Sequence, residues 1–308
     1  PGISSAASDV YKRQVLLSSE YLVMDGAKSI ALPAKLTQDL SVSKCDENTI
    51  EWQSFDKHDN LWYEDRFIVD NNNLVNLGKE DIISEKIISL LNHTIKKNDL
   101  KSILGNKFVT KLNFDKEWGL GSSSTFVNNL AKWANVDPYK LLFSTFKGSG
   151  YDIACCDVNH PIIYNKMGNS ICINKANFSP PFIENLFLIY LGKKQNTQTS
   201  IENYSKSQFN KVESIKKINR ICNEFLKCND LIYFEELMQE HESIISKAIS
   251  VNPIQKSTFM GYKDGKIKSL GSWGGDFILV TTKNKDLTYF RNRGLNTIIP
   301  LKEMVYLG

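Results

Sequence analysis

The sequence predicts an α+β fold in two consecutive halves divided near residue 180. Three observations carry this prediction. Polar and apolar residues alternate in "LTQDLSVS" and in "KFVTKLNF" (107–114), the period of a half-buried strand. Residues 80–97 instead place Ile82, Ile83, Ile87, Leu90, Leu91 and Ile95 on one side of a helix. Beyond the two prolines of "SPPF" (179–182), residues 200–228 and 230–250 read as two long helices joined near "CND".

The first fourteen residues, "PGISSAASDVYKRQ", have no apolar periodicity. The hexapeptide "DVYKRQ" is also what one frame of a common transposase adapter for DNA sequencing encodes. Residues 1–14 are therefore expected to be adapter-derived and stand outside the fold prediction. From Val15, "VLLSSEYLVMDG" is apolar and closes on an Asp-Gly turn. A strand follows around "LTQDLSVS", and 48–69 forms a hairpin of aromatic and β-branched arms around "DKHDN". The 80–97 helix and the 107–114 strand come next, then a helix running to about Trp133. Another helix starts at Asp137-Pro138, where Asp caps and Pro fits the first turn. "PIIYNK" and "SICINK" read as strands, "NLFLIYLG" as a buried strand. "GKIKSLGSWGGDFILVTT" reads as a loop between strands, followed by a helix around 284–292.

Composition narrows the function. The 308 residues are 42% hydrophobic and 23% charged, with net charge +4 and a pI near 8.6. That charge is too mild for nucleic acid, and no dense basic run interleaves with aromatics. No segment has the apolar length of a membrane span. The six cysteines form no Cys-x-x-Cys pair, which argues against zinc and disulfides and for reduced thiols in the cytoplasm.

The segment "EWGLGSSSTFVNNLAKW" (117–133) carries the chemistry. Glycine and serine bury little apolar area, so packing does not select Gly119-Leu120-Gly121-Ser122-Ser123-Ser124 ahead of a helix. The first turn of a helix has unpaired N–H groups and the positive end of the dipole. Glycines let a ligand approach the backbone, and serines add donors and a possible Mg²⁺ ligand. Together these make a phosphate cradle, although a capped helix with a flexible lead-in has the same sequence. The Gly-Lys-Ser/Thr ending of a Walker loop is missing. "KGSGYDIACC" (147–156) sets Asp152 just after two glycines, either as a turn cap or as a carboxylate that takes a proton from a substrate hydroxyl. "SLGSWGGDF" (269–277) is a third small-residue loop.

In this order the three segments resemble the GHMP kinases: "GLGSSS" the central ATP-phosphate motif, "SSEYLVMDG" the first, and "GSWGGD" the third. The resemblance covers residues 15–308. It implies a ribosomal protein S5 domain 2-like N-terminal domain (15–180) that binds ATP and a ferredoxin-like C-terminal domain (181–308). It also implies that Ser122 and Ser123, with the N–H groups of Gly119 to Ser124, hold the β- and γ-phosphates. Ser123 would ligate Mg²⁺, Asp152 would be catalytic, and Glu20 would support the active site. Gly271, Gly274, Gly275 and Asp276 would form the third loop. The chain departs from the family in three places. Arg13 and Gln14 stand where Gly-Lys is expected, Ser18-Ser19 replaces an apolar-Gly pair, and Trp273 replaces a small residue.

The resemblance further implies transfer of the ATP γ-phosphoryl to a hydroxyl or phosphate of a small acidic metabolite of the mevalonate pathway, by a monomer or homodimer. Mevalonate kinases usually carry a second acid before the catalytic Asp. Between Asp137 and Asp152 there is none here, and "GSGYDIACCDVNHPIIY" is closer to phosphomevalonate kinases. Lys193 and Lys194 either meet the anionic acceptor or are ordinary surface charge. The alternatives are a non-catalytic binding relative, a homoserine kinase and a diphosphomevalonate decarboxylase.

Overall fold

Strands arise where the sequence alternates and helices where its stripe has period 3.6. The computed structural model describes residues 9–78, 81–95, 99–118, 122–146, 148–193, 197–271, 273 and 276–308. In chain order the first elements are β1 (Asp9–Leu16), β2 (Ser29–Lys44), β3 (Ile50–Phe55), β4 (Leu61–Asp70), β5 (Asn73–Asn76), α1 (Ile82–Thr94) and β6 (Asn106–Leu112). There follow α2 (Ser122–Trp133), α3 (Pro138–Thr145), α4 (Tyr151–Cys155), β7 (Ile162–Met167), β8 (Ser170–Lys175) and β9 (Leu186–Tyr190). The remainder comprises α5 (Thr197–Lys206), α6 (Lys211–Lys227), α7 (Leu231–Ile249), α8 (Ile254–Ser257), β10 (Ile267–Ser269), β11 (Phe277–Thr281), α9 (Thr288–Arg291), β12 (Ile298–Pro300) and α10 (Leu301–Met304).

The chain forms two compact units that interleave in sequence: Pro1–Arg13, Leu36–Lys116 and Gly121–Cys156, and then Gln14–Lys35, Glu117–Leu120 and Asp157–Gly308. This differs from the expected division near 180. The reason lies in β2, whose sixteen residues give their first part to one unit and their last part to the other. Strand β1 likewise begins at Asp9, so residues 9–14, set aside in the sequence reading, take part in the fold.

In the first unit, strands run in the order β5-β4-β3-β6-β2. The pair β3–β6 is parallel and the others are antiparallel. Helices α1, α2 and α3 cover a core of Trp52, Phe67, Phe108, Leu90, Leu91, Val127 and Leu130. The stripe of α1 is narrower than expected: Ile87, Leu90 and Leu91 are buried, whereas Ile82 is 68% exposed. Asp81 caps this helix by accepting from the N–H groups of Ile83 and Ser84. Asp137 does the same for α3, accepting from Tyr139 and Lys140, with Pro138 at the first helical position as predicted.

The second unit contains a four-stranded antiparallel sheet ordered β10-β11-β9-β12. With helices α6 and α7 between β9 and β10, and α9 between β11 and β12, this is the ferredoxin-like β-α-β-β-α-β arrangement. Every residue of β11 is buried. The long helix expected over 200–228 is interrupted. Ser207 turns its hydroxyl back to the Tyr204 carbonyl at 2.6 Å, and Asn210 caps α6 by accepting from the Glu213 N–H. Such side-chain bonds to the backbone compete with helix propagation. The apolar run 15–26 divides too, into the end of β1 and a 3₁₀ turn, Leu22–Asp25, closed by Gly26 at φ 92°. The helix expected around 284–292 shortens to α9.

Candidate active site

Helix α2 is locked onto strand β2 by two bonds one turn apart. Thr125 Oγ1 donates to Gln38 Oε1 at 2.7 Å, and Asn129 Nδ2 donates to the Gln38 carbonyl at 3.1 Å. All three residues are buried. Phe126 meets Trp52 edge-on at 5.1 Å, and Trp133 meets Phe108 edge-on at 4.8 Å, so both ends of the helix are held. The anchoring fixes where α2 starts. That start is Ser122, and its first turn contains no acidic residue to compensate the helix dipole. Ser124 is buried. The side chains of Ser122 and Ser123 lie outside what the structure describes, as do Gly119, Leu120 and Gly121.

Asp152 stands in the first turn of α4, which packs against α2 in the same unit. Gly150 makes this possible: at φ 87° it turns the chain sharply into the helix, a conformation that a side chain would strain. Ile153 enters the core that also contains Val127 and Leu130 of α2. One residue earlier along the helix, about 100° around its axis, Asp152 is only half-buried. The Cys155 thiol is pushed well above its ordinary value, first by burial and then by Cys156 and Asp152. It is therefore a packed thiol rather than a nucleophile. The structure thus brings together, in one unit, the helix carrying the serine run and the helix carrying the carboxylate.

Glu20 belongs to the other unit. Its carboxylate is 1% exposed and ion-paired through Oε1 with the fully enclosed Lys268 of β10. Lys268 also donates to the Ser269 carbonyl at 2.9 Å. His241 Nε2 is 3.2 Å from Glu20 Oε2, yet it accepts the Ser19 N–H at 2.9 Å and so has no proton to give the carboxylate. Burial, and then Lys268, hold the His241 pKa well below its ordinary value, so the ring is neutral. Burial pushes Glu20 up despite Lys268, and pushes the neighbouring Glu242 up to about 8. Glu242 Oε2 accepts from Ser269 Oγ at 3.0 Å. The segment around Glu20 is strained, with Ser19 at φ 73° and Tyr21 at φ 58°. Ser19, where the family has glycine, takes the left-handed conformation that glycine adopts without cost, and its hydroxyl donates to the Lys28 carbonyl. Glu20 therefore does not face solvent; it fixes the loop that carries it.

The third loop begins at Gly271, at φ 57°, and ends at Asp276, at φ 54°. Trp273, also left-handed at φ 52°, is buried. Gly274 and Gly275 lie outside the described residues. The Asp276 N–H donates to the Lys193 carbonyl at 2.6 Å, and the Leu191 N–H to the Asp276 carbonyl at 2.8 Å, which ties the loop to the end of β9. Trp118 meets Phe277 edge-on at 5.5 Å, and Tyr190 donates to the Glu117 carbonyl at 2.7 Å. The lead-in to the Gly119–Ser124 segment and the exit of the third loop thus share one aromatic cluster. Sequence reasoning missed Trp118, Tyr190, Phe277, His241 and Lys268, because pairing across 70 to 250 residues leaves no local pattern. Among the described residues no group of three His, Cys, Asp or Glu side chains is placed to hold a metal. No described helix is long and apolar enough to cross a membrane. None of the six cysteines forms a disulfide.

Neither a protein-family model nor a curated protein matches the sequence. Solved structures do match. The Methanococcus jannaschii mevalonate kinase is 17% identical, with 96% of this chain and 97% of that one covered at a TM-score of 0.66. The Streptococcus pneumoniae phosphomevalonate kinase in complex with phosphomevalonate and AMPPNP is 11% identical, with 93% and 95% covered at 0.65. The Lactococcus lactis galactokinase complexed with galactose is 10% identical, with 98% and 94% covered at 0.66. These likenesses extend over nearly the whole of each chain, and what they establish at such identities is architecture: the chain has the GHMP kinase fold.

Proposed function

We propose that the chain is an ATP-dependent kinase that transfers the γ-phosphoryl group to a hydroxyl or phosphate of a small acidic metabolite, with phosphomevalonate or mevalonate as acceptor. The observation that carries this reading is the packing of α4, with Asp152 in its first turn, against α2, whose serine-rich first turn contains no acidic residue. The fold shared with kinases of both acceptors supports it.

The donor set fits a nucleotide triphosphate. The free N–H groups at the start of α2 take the terminal phosphates, and the dipole favours their charge. Ser123 would hold Mg²⁺ together with those phosphates, a sparse protein ligand set of the kind this ion accepts. Bound there, Mg²⁺ would neutralise charge on the phosphates. Asp152 aligns the attacking oxygen of the acceptor and, where that oxygen is a hydroxyl, takes its proton on a carboxylate oxygen. The N–H groups, held in place by the Gln38 anchor, need no reorganisation as charge develops. Glu20 holds the Ser18–Tyr21 loop through its ion pair with Lys268.

A second reading, a nucleotide-binding relative without turnover, is favoured by position 14. The family places its lysine just before Val15, and a buried Gln14 stands there. ADP release measured with mevalonate, phosphomevalonate and homoserine separates the two readings. Acceptor-dependent release supports the kinase; ATP binding without release under any acceptor supports the binding protein. CO₂ release would instead identify a decarboxylase.

A further inference from the structure

The segment joining α8 to β10 forms one wall of a cavity of about 400 Å³, within the size range of small-molecule sites. Three of its lining residues are lysines: Lys256, Lys263 and Lys266. No carboxylate lines it. None of the three ammonium groups forms an ion pair with a described residue. The one acid within the segment, Asp264, is turned away and fully engaged. Its carboxylate accepts from the Thr282 hydroxyl, from the Asn284 N–H at 3.2 Å and from Asn284 Nδ2 at 2.7 Å.

The wall is built rather than loose. Gln255 spans it, accepting the Ile267 N–H at 3.0 Å and donating to the Gly265 carbonyl at 3.2 Å. Tyr262 is buried and donates to the Thr281 carbonyl at 2.6 Å. The Lys266 N–H donates to Thr281 Oγ1 at 2.7 Å. A Cβ on Gly265 would lie 2.1 Å from the Thr281 carbonyl oxygen, so only glycine allows this approach to β11. Lys256 and Lys263, both exposed, and the half-buried Lys266 thereby stand around a preformed concave surface beside the apolar groups of Met260 and Tyr262. Such an arrangement gains from a multivalent anion that also carries carbon.

We propose that this pocket is a binding site for a phosphorylated small molecule, its phosphates held by Lys256, Lys263 and Lys266. The proposal stands apart from the kinase reading, since no lining residue belongs to the 119–124 segment or to Asp152. The test is calorimetric titration of the full chain with inorganic pyrophosphate. Three proteins are compared: the unmodified chain, the variant Lys256→Gln, Lys263→Gln, Lys266→Gln, and a control with Lys86, Lys101 and Lys227 changed to Gln. Partly exposed charge contacts of this kind add to about a tenfold change in affinity. Binding is expected to weaken by about that factor in the pocket variant, to persist in the control, and to fall as salt rises. Equal weakening in both variants would show attraction by net charge alone and overturn the site. So would the absence of binding by the unmodified chain at millimolar pyrophosphate. Binding left unchanged in the pocket variant would also overturn the site, and would leave the kinase reading standing, because any component bound at the start of α2 is common to all three proteins.

Discussion

At the scale of single residues, the buried cluster around Lys268 makes the sharpest claims about stability. Glu242 has its folded pKa raised to about 8 from an ordinary 4.5, chiefly by burial. The sign follows: below about pH 4.5 the carboxyl is protonated folded or unfolded and has no effect. As pH rises toward 8 the unfolded chain ionises first, and stability is lost. Glu242→Gln, similar in shape and never charged, should match the unmodified chain near pH 4.5. It should exceed it at pH 8 by a few kcal/mol at most, on the order of 1.4 per pKa unit. Urea midpoints across pH measure this, and superimposable curves would refute it. His241 works in the opposite sense. Its folded pKa is depressed, so its stabilisation is lost as pH falls through the unfolded value near 6.5. The comparison with Glu242→Gln isolates the carboxyl because His241 is common to both proteins. Lys268→Met leaves Glu20 buried without its cation and should destabilise by about 3–5 kcal/mol. Lys268→Met combined with Glu20→Gln should recover much of that loss, which a double-mutant cycle reads directly.

At the scale of elements, the anchor between α2 and β2 matters most. Thr125→Val keeps the shape but leaves buried Gln38 Oε1 without its donor, which should cost about 1–3 kcal/mol. If the start of α2 grips phosphate, the same variant should also raise KM for ATP more than it lowers kcat. A loss of stability with unchanged KM would separate the anchor from the nucleotide site. Elements were legible in the sequence where local signals agreed. Asp137-Pro138 announced α3, and the "DKHDN" turn between aromatic arms announced β3 and β4. They were misread where a side chain overrode the pattern. Ser207 and Asn210 broke a helix that apolar spacing alone would continue. The apolar run after Val15 packs as a loop because buried Ser18 and Ser19 satisfy the backbone there, Ser18 Oγ accepting the Ile30 N–H at 3.0 Å.

At the scale of the whole molecule, the sequence motifs named the fold, and the ferredoxin-like sheet confirms half of that expectation in its strand order. The compact units were not legible, because β2 crosses between them and only three-dimensional packing reveals it. Of the candidate site, Asp152 and the serine run were visible as local motifs. The residues that hold the Glu20 loop and the lead-in to the serine run were not: Lys268 meets Glu20 across 248 positions, and Trp118 meets Phe277 across about half of the chain. Acceptor choice is a property of the assembled molecule and is read by the ADP-release panel, with phosphomevalonate expected to exceed homoserine.

The most direct measurement compares the unmodified chain with Asp152→Asn in two assays, ATP binding by calorimetry and acceptor-dependent ADP release. A positioned proton acceptor contributes about 10²–10⁴ in rate. The variant should therefore bind ATP with unchanged affinity and lose turnover by about that factor. Equal turnover in the two proteins would remove Asp152 from the chemistry, and with it the claim that α2 and α4 form the site of phosphoryl transfer.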